Sequence, residues 1–390
     1  MKAQSLKGLI LSLAVIMTPF SFAIAEPPGW RIIQLTNNDY DDWYPQISGS
    51  NVVWQGFDGN DYEIFFSNGS TTTQLTNNVY DEWIPQISDT NVVWVGRNGS
   101  ANQIFLYNGS IATQLTTNGG AFPQISGTNV VWQSSDGDLD DEIFLYNGST
   151  TAQLTNNDFD DRRPQISGSN IVWEGYDGGD DEIFFYNSST TTQLTNNIYD
   201  ERGPQISGSN LVWEGYDGSD WEIFFYNGSA TTQLTNNGVN DWRPKISGSN
   251  IVWQGWDGND WEIFFYGGWT TIQLTNNNFD DSYPQISGSN IVWDGNDGID
   301  YEIFFYNGTI TQLSNNYEPD GIPLISGSNV VWIHHDGNDW EIFVAIKCPY
   351  LISGDLNDDC TVDFYDFATM SSNWLIDCVA EPGNPACVPK

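Results

Sequence analysis

A tryptophan behind an apolar pair returns eight times along this 390-residue chain, at Trp54, Trp94, Trp132, Trp173, Trp213, Trp253, Trp293 and Trp332. Each lies 38 to 41 residues after the one before it. A period of that length restricts the chain to solenoids, propellers or arrays, because each unit can bury its apolar face only against the next. One full unit, residues 204–243, reads PQISGSNLVWEGYDGSDWEIFFYNGSATTQLTNNGVNDWR. It contains four β-favouring runs separated by turn residues: Pro204–Ser207, Asn210–Glu214, Glu222–Tyr226 and Thr231–Thr235, here called a to d. Runs b and c are continuously apolar at their centres, so both faces should be covered. Run d mixes polar and apolar residues, as an outer strand would. The Ser-Gly-Ser-Asn and Asn-Gly-Ser links read as tight hairpin turns, with Gly and Asn supplying positive φ.

Four strands per forty residues describe a propeller blade, and the ends of the repeat region separate a closed ring from a linear array. A Gln-Leu-Thr run, Gln34 to Thr36, precedes the first blade, whereas the eighth blade stops after Glu341–Val344 with no run d of its own. The first run therefore completes the last blade. An open array would leave bare sheet edges and want polar caps, which are not visible. The expected fold is all-β: an eight-bladed β-propeller of four-stranded antiparallel blades over residues 26–347, closed by its N-terminal strand.

Charge narrows the partners. The chain has 51 acidic residues against 11 Lys and Arg, a net charge of −40. That disfavours nucleic acid and anionic membrane surfaces and favours cations, calcium first, or neutral ligands. Residues 1–25 read as a signal peptide: Lys2 and Lys7, an apolar stretch from Leu9 to Met17, and an Ala23-Ile24-Ala25 cleavage site. The stretch is shorter than the roughly 20 residues of a spanning helix, and no later one is long enough. Export to the extracellular space or periplasm is expected, as a monomer without a membrane span.

The long links gather the chemistry. The b–c links carry Asp-Gly-x-Asp-x-Glu: Asp58, Asp61, Glu63; Asp217, Asp220, Glu222; Asp257, Asp260, Glu262; Asp297, Asp300, Glu302; and Asp336, Asp339, Glu341. Carboxylates this close repel one another unless a cation or donor intervenes. Blade two has Asn98, Ala101 and Gln103 at these positions, losing all three acids together. Two readings stay open: calcium ligands, or turn-forming Asp-Gly with a Glu that is solvated or bonded to backbone. The d–a links add acids at 41–42, 81–82, 160–161, 200–201, 241 and 280–281. The eight repeated tryptophans read as core. Trp43, Tyr44, Trp83, Trp242, Trp256 and Tyr283, in or beside the acidic links, are the candidate ligand-binding aromatics, with packing between blades as the alternative. A ring of repeats gives no unique catalytic constellation. Its irregularities are few: His334 and His335, the chain's only histidines, and Lys245 and Leu324 where other blades have Gln.

The repeat text, QLTNN-x-x-DD-x-x-PQISGSN-x-VW followed by DG-x-D-x-EIFFY, resembles the repeats of TolB-type β-propellers over about residues 30–346. That resemblance implies fold more than function, since relatives serve as platforms, scaffolds and enzyme appendages. TolB itself has six blades and this chain eight.

From Gly354 the text changes. Asp355, Asn357, Asp359, the Thr361 backbone, Asp363 and Asp366 fall at positions 1, 3, 5, 7, 9 and 12 of an EF-hand calcium loop. Val362 is expected to pack the loop, and a helix to follow it. This segment is similar to a single dockerin repeat, with Cys360 in place of the usual Gly at position 6. The similarity implies calcium binding and attachment to a cohesin-like domain. A helix over about 364–375 would hold Cys360 and Cys378 too far apart for a bridge. The expected disulfides are therefore Cys348–Cys360 and Cys378–Cys387, in a module spanning 348–390.

The function expected is that of a secreted, non-catalytic binding or scaffold protein. Its propeller would recognise carbohydrate or protein through an acidic, aromatic face, and its tail would bind calcium and mediate attachment. The alternatives are an extracellular polysaccharide-degrading hydrolase or lyase carrying the same tail, with its site in the less regular blades two, three and eight, and a purely structural surface protein.

Overall fold

The computed structural model describes residues 27–99, 101–137 and 140–348, together with 354, 360, 362 and 366. Thirty-two strands form eight four-stranded antiparallel sheets. Blade one comprises β2 (Asp42–Ser48), β3 (Asn51–Phe57), β4 (Tyr62–Ser67) and β5 (Thr72–Gln74), paired in that order. Blade eight comprises β30 (Asp320–Ser326), β31 (Asn329–His335) and β32 (Trp340–Lys347), with β1 (Trp30–Gln34) as its outer strand. The ring closes as the sequence predicts. First strands of successive blades lie against one another all the way round, β2 touching both β30 and the first strand of blade two, so they line the axis.

Burial follows this layering. The second strand of blade one is buried on both faces from Val52 to Gly56, whereas Thr72 and Thr73 of the outer strand are exposed. Eight apolar clusters fill the eight seams. Val53 and Ile64 of blade one meet Val92 and Trp94 of blade two, and the pattern repeats to the closing seam, where Val331 and Ile342 meet Val52 and Trp54. Each repeated tryptophan is at most 2% exposed. Trp54 lies over Phe65 of its own blade at 5.8 Å between ring centroids. Gly56 permits this arrangement, because a Cβ there would meet Asp42 Oδ1 at 2.2 Å and the Phe65 ring at 3.0 Å.

The repeat signature now has a physical explanation. Ser48 Oγ accepts from the Asp89 N–H of the next blade's turn, and Asn51 Nδ2 donates to the Asp89 carbonyl. The same two bonds recur at each seam, ending with Ser326 and Asn329 on Gly49. Within a blade the Gln-Leu-Thr run docks on the third strand: Leu75 N–H donates to the Ile64 carbonyl, and Thr76 Oγ1 accepts from the Ile64 N–H.

One boundary differs from expectation. The first strand begins three residues before the proline-led run in seven blades, at Asp42 rather than Pro45 in blade one, and two residues before it in blade three. The pairing crosses a bulge between Trp43 and Gln46, with Tyr44 at φ 51°. A bulge absorbs the proline, which has no N–H for the ladder.

The closure lacks chain continuity and is reinforced instead. β1 pairs over five residues where β5 pairs over three. Its Trp30 is buried edge-on against Phe305 of blade seven, at 4.7 Å. We expect Trp30→Ala to cost about 3–5 kcal/mol, read as a lower urea midpoint. Trp269→Ala, at a 92% exposed position, should leave the midpoint in place. Equal shifts in the two variants would contradict this role for Trp30.

Candidate functional site

The acids on the d–a links are not a solvated fringe. In each pair the first caps a strand of the preceding blade: Asp81 Oδ1 accepts from the Tyr62 N–H, and Asp41 Oδ1 from that of Trp340. The second opens the innermost strand and is buried, Asp42 being 3% exposed. Asp42, Asp161, Asp241, Asp281 and Asp320 each accept a hydrogen bond from the indole N–H of their own blade's core tryptophan. Asp320 completes this set but went unnoticed in the sequence, because its link reads Glu-Pro-Asp instead of Asp-Asp. Where the position holds Glu82 or Glu201, the longer side chain misses the indole, and Trp94 Nε1 and Trp213 Nε1 are left without a partner.

The Glu of each b–c motif faces the second acid of the following blade, with an Asn bridging the two carboxyls. Asn78 donates its N–H to Glu63 Oε1 and its side-chain amide to Glu82 Oε1, both at 2.6 Å. The same bridge joins Glu142 with Asp161, Glu182 with Glu201, Glu222 with Asp241, Glu262 with Asp281, Glu302 with Asp320 and Glu341 with Asp42. Burial, then the hydrogen bond to the facing Glu, pushes Glu82 and Glu201 up to about 9. The motif also occurs in blade four as Asp177, Asp180 and Glu182, a match legible in the text at 177–182 but absent from the expected set.

Members of each triplet differ. Asp58 Oδ1 accepts from the Asn60 N–H and Oδ2 from Gln74, so it shapes the turn. Asp61 and Glu63, 7% and 0% exposed, keep oxygens without partners. The acids of blades one, five, six and seven close up as the spacing implies. Asp58 with Asp61 and Glu63, Asp217 with Asp220 and Glu222, Asp257 with Asp260 and Glu262, and Asp297 with Asp300 and Glu302 each bring ligand atoms within 4.8 Å of one another.

The six candidate aromatics lie on strands: five on first strands, which start earlier than expected, and Trp256 at the end of the second strand of blade six. Trp43 packs on Trp340 of blade eight at 5.2 Å. Trp242 stacks on Trp261 at 4.8 Å, and Trp256 meets the same ring at 5.5 Å. Trp83 is partly buried against the seam between blades two and three. These four are mainly packing residues. Tyr44 and Tyr283 remain exposed and belong to a ring that sequence reading did not isolate: Tyr44, Ile84, Phe122, Arg163, Gly203, Arg243, Tyr283 and Ile322, one per blade. All have φ between 50° and 62°, where a β-branched residue is an outlier. Gly203 leaves the ring open at blade five, and a cleft of about 400 Å³ lies there between Arg163, Arg202, Trp242 and Arg243. Arg202 and Arg163 pair with Glu214 and Glu174 at its walls.

Of the irregular residues, His334 is buried, its Nδ1 3.0 Å from Asp320 Oδ1. Lys245 Nζ lies 3.4 Å from Gln205 Oε1, and burial followed by the charge of Arg243 lowers its pKa. Leu324 packs in the closing seam.

In the tail the Cys348–Cys360 bridge is present. Cys360 has φ 70°, the left-handed backbone that favours glycine. Asp366 is buried. Val362 is 56% exposed, with its methyl groups beside Gly354; most of the loop it is expected to pack lies outside the described residues. Asp355, Asn357, Asp359, Thr361 and Asp363 lie outside the described residues, as do Cys378, Cys387, the expected helix apart from the helical Asp366, and the 1–25 leader.

Two predictions follow from these environments. Glu82→Asp should give the Trp94 indole its acceptor and raise stability by about 1 kcal/mol; an unchanged urea midpoint would contradict the assignment. Burial pushes Asp294 up to about 7 against the Ile322 N–H and Arg243, which lower it. Between pH 4 and 7 the folded chain then keeps a proton that the unfolded chain has released, so stability falls as pH rises. Asp294→Asn should remove up to on the order of 4 kcal/mol of that fall, seen as a flatter profile of melting temperature against pH.

No family model and no curated protein matches this chain. Solved structures do. The β-propeller domain of the Trilobed protease from Pyrococcus furiosus, described as having an open velcro topology, aligns over 71% of this chain and 98% of its own, at 10% identity and TM-score 0.53. The computationally designed Ika8 protein aligns over 79% and 98%, at 14% identity and TM-score 0.56. A prolyl endopeptidase aligns over 76% and 54%, at 9% identity and TM-score 0.54, so this chain spans about half of that enzyme. At these identities the likeness is one of fold; the eight four-stranded blades and the closure by the N-terminal strand are features of this chain's own sheets.

Proposed function

We propose that this protein is a secreted, non-catalytic binding protein. Its propeller would take carbohydrate or protein at the axial end that carries the d–a links, and its tail would bind calcium through Asp355, Asn357, Asp359, Thr361, Asp363 and Asp366 and attach the ring to a cohesin-like partner. The observation that carries the reading is the ring of eight positive-φ positions. Seven hold side chains in a conformation that costs roughly 1 kcal/mol or more each for an L-residue, and glycine occupies only the eighth. Fold alone would favour glycine throughout. Aromatic residues kept there instead, Tyr44 at 51% and Phe122 at 47% exposed, offer ring faces for stacking on a sugar or a peptide side chain. So does Tyr283, 43% exposed, on the face not covered by the Arg243 guanidinium 3.8 Å from its ring centroid. Repetition supports binding over catalysis, since each blade presents a variant of the same element.

The test separates binding from folding. Tyr44→Gly, Phe122→Gly and Tyr283→Gly, combined, should stabilise the ring, by roughly 1 kcal/mol per site, while abolishing retention on polysaccharide or protein ligands that hold the native chain. Retention at native strength by a stable triple variant would sink the proposed face. Release of soluble products from polysaccharides by the purified chain would replace the reading with the enzymatic one.

A further inference from the structure

Among the described residues, seven of the eight seams contain buried carboxylate oxygens that meet no donor other than a facing carboxyl. On the b–c motif these are Asp61 and Glu63, Asp140 and Glu142, Asp180 and Glu182, Asp220 and Glu222, Asp260 and Glu262, Asp300 and Glu302, and Asp339 and Glu341; every one of these residues has at least one such oxygen. The six glutamates after the first share its 0% exposure. The Asp lies in the turn immediately before the strand, and the Glu is the strand's second residue. With the turn-forming Asp, their ligand atoms come within 4.8 Å of one another in blades one, four, five, six and seven. In two seams the facing acid of the next blade, Glu82 or Glu201, adds a further such oxygen, on a residue 3% or 4% exposed. An unpaired charge in such a place costs several kcal/mol, and the chain repeats the arrangement seven times.

The eighth seam supplies the control. Between blades two and three the motif reads Asn98, Ala101 and Gln103, and the facing position, across the seam in a different blade, is Gly120 instead of an acid. Gln103 is satisfied without charge, its Oε1 accepting from the Thr116 hydroxyl at 2.8 Å. Four acidic positions on two blades are thus vacated together. Solvated charges or turn formers have no reason to be lost in concert across a seam; ligands of one ion do.

We infer that each of the seven acidic seams is a divalent-cation site, taking a hard, oxygen-preferring ion such as calcium between the Asp-x-Glu of one blade and the acid of the next. The ion joins neighbouring blades, and the seam between blades two and three is held without one. This role is independent of what the axial face binds and of the calcium loop in the tail. Hard cations take six to eight oxygens at about 2.3–2.6 Å, and the paired carboxylates with the turn-forming Asp at the loop end supply the protein's share.

The test is ion stoichiometry on the full mature chain at pH 7.5, by equilibrium dialysis and elemental analysis, with calcium in one arm and magnesium in the other. The expected result is several ions per chain in at least one arm. The double variant Glu63→Gln, Glu222→Gln should bind two fewer, whatever the tail contributes. Gln103 occupies the equivalent position in blade two, so the fold accepts the substitution. Should that variant nevertheless fail to fold, the native chain still decides: chelation should lower its melting temperature, because an ion bound only to the folded state adds stability by mass action. One ion or none per chain in both arms, a double variant that binds as many as the native chain, or a melting temperature indifferent to chelation would overturn the inference, leaving the paired acids to share protons.

Discussion

Each blade is too thin to hold itself together, and everything else in the molecule depends on how its neighbour covers it. A four-stranded sheet buries one apolar face against the blade before and the other against the blade after, so Val53 and Ile64 have no core until Val92 and Trp94 arrive. The Ser–Asn clasp makes that contact specific. Ser48 and Asn51 seize both the N–H and the carbonyl of one residue in the next turn, which sets the spacing and rotation between blades. Repeated at every seam, it leaves a ring with only one discontinuity in the chain, where β1 adds two pairs beyond the usual three and inserts Trp30.

The same seams carry the protein's most costly chemistry. An acid opening the innermost strand is useful to the fold when it is Asp, because its length suits the core indole; Glu82 and Glu201 lose that bond, and burial with the facing glutamate raises the pKa of both. Asn bridges at Asn78 and its counterparts neutralise part of the repulsion. The remainder requires either protons or cations, and both would couple the stability of the ring to its solution. An overall charge of −40 acts in the same direction, since self-repulsion across a ring is relieved most directly by bound cations.

The axial end combines two constraints that rarely meet. The bulge before each proline forces a left-handed residue at a fixed place in every blade, and that place surrounds the axis. Sequence variation then concentrates on it: Tyr, Ile, Phe, Arg, Gly, Arg, Tyr and Ile occupy positions whose backbone is nearly identical. A scaffold that repeats its core while varying one ring of side chains is suited to recognition. Arginines stand on this face in blades four to six, Arg163 and Arg202 paired with Glu174 and Glu214, and the missing side chain of Gly203 shapes a cleft among them.

Much of this was legible in the sequence because it depends on local repetition. The period of the tryptophans, the alternation of turns and strands, and the orphan Gln-Leu-Thr at the start determine blade count, strand order and the manner of closure without reference to any distant contact. The Cys348–Cys360 bridge was legible too, from the reach of a helix. What tertiary structure alone decided is which side chains meet across a seam. The fate of Asp42 depends on Trp54 beneath it and on Glu341 of the last blade beside it, some 300 residues away. Sequence alone therefore leaves the acids as either cation ligands or turn and solvated residues, leaves Trp43 and Trp242 as either ligand-binding or packing residues, and hides Asp320 behind a proline. Periodicity specifies what each blade contains; only the ring, by bringing one blade's exposed edge against the next blade's inner strand, determines whether a carboxylate faces water, an indole or another carboxylate.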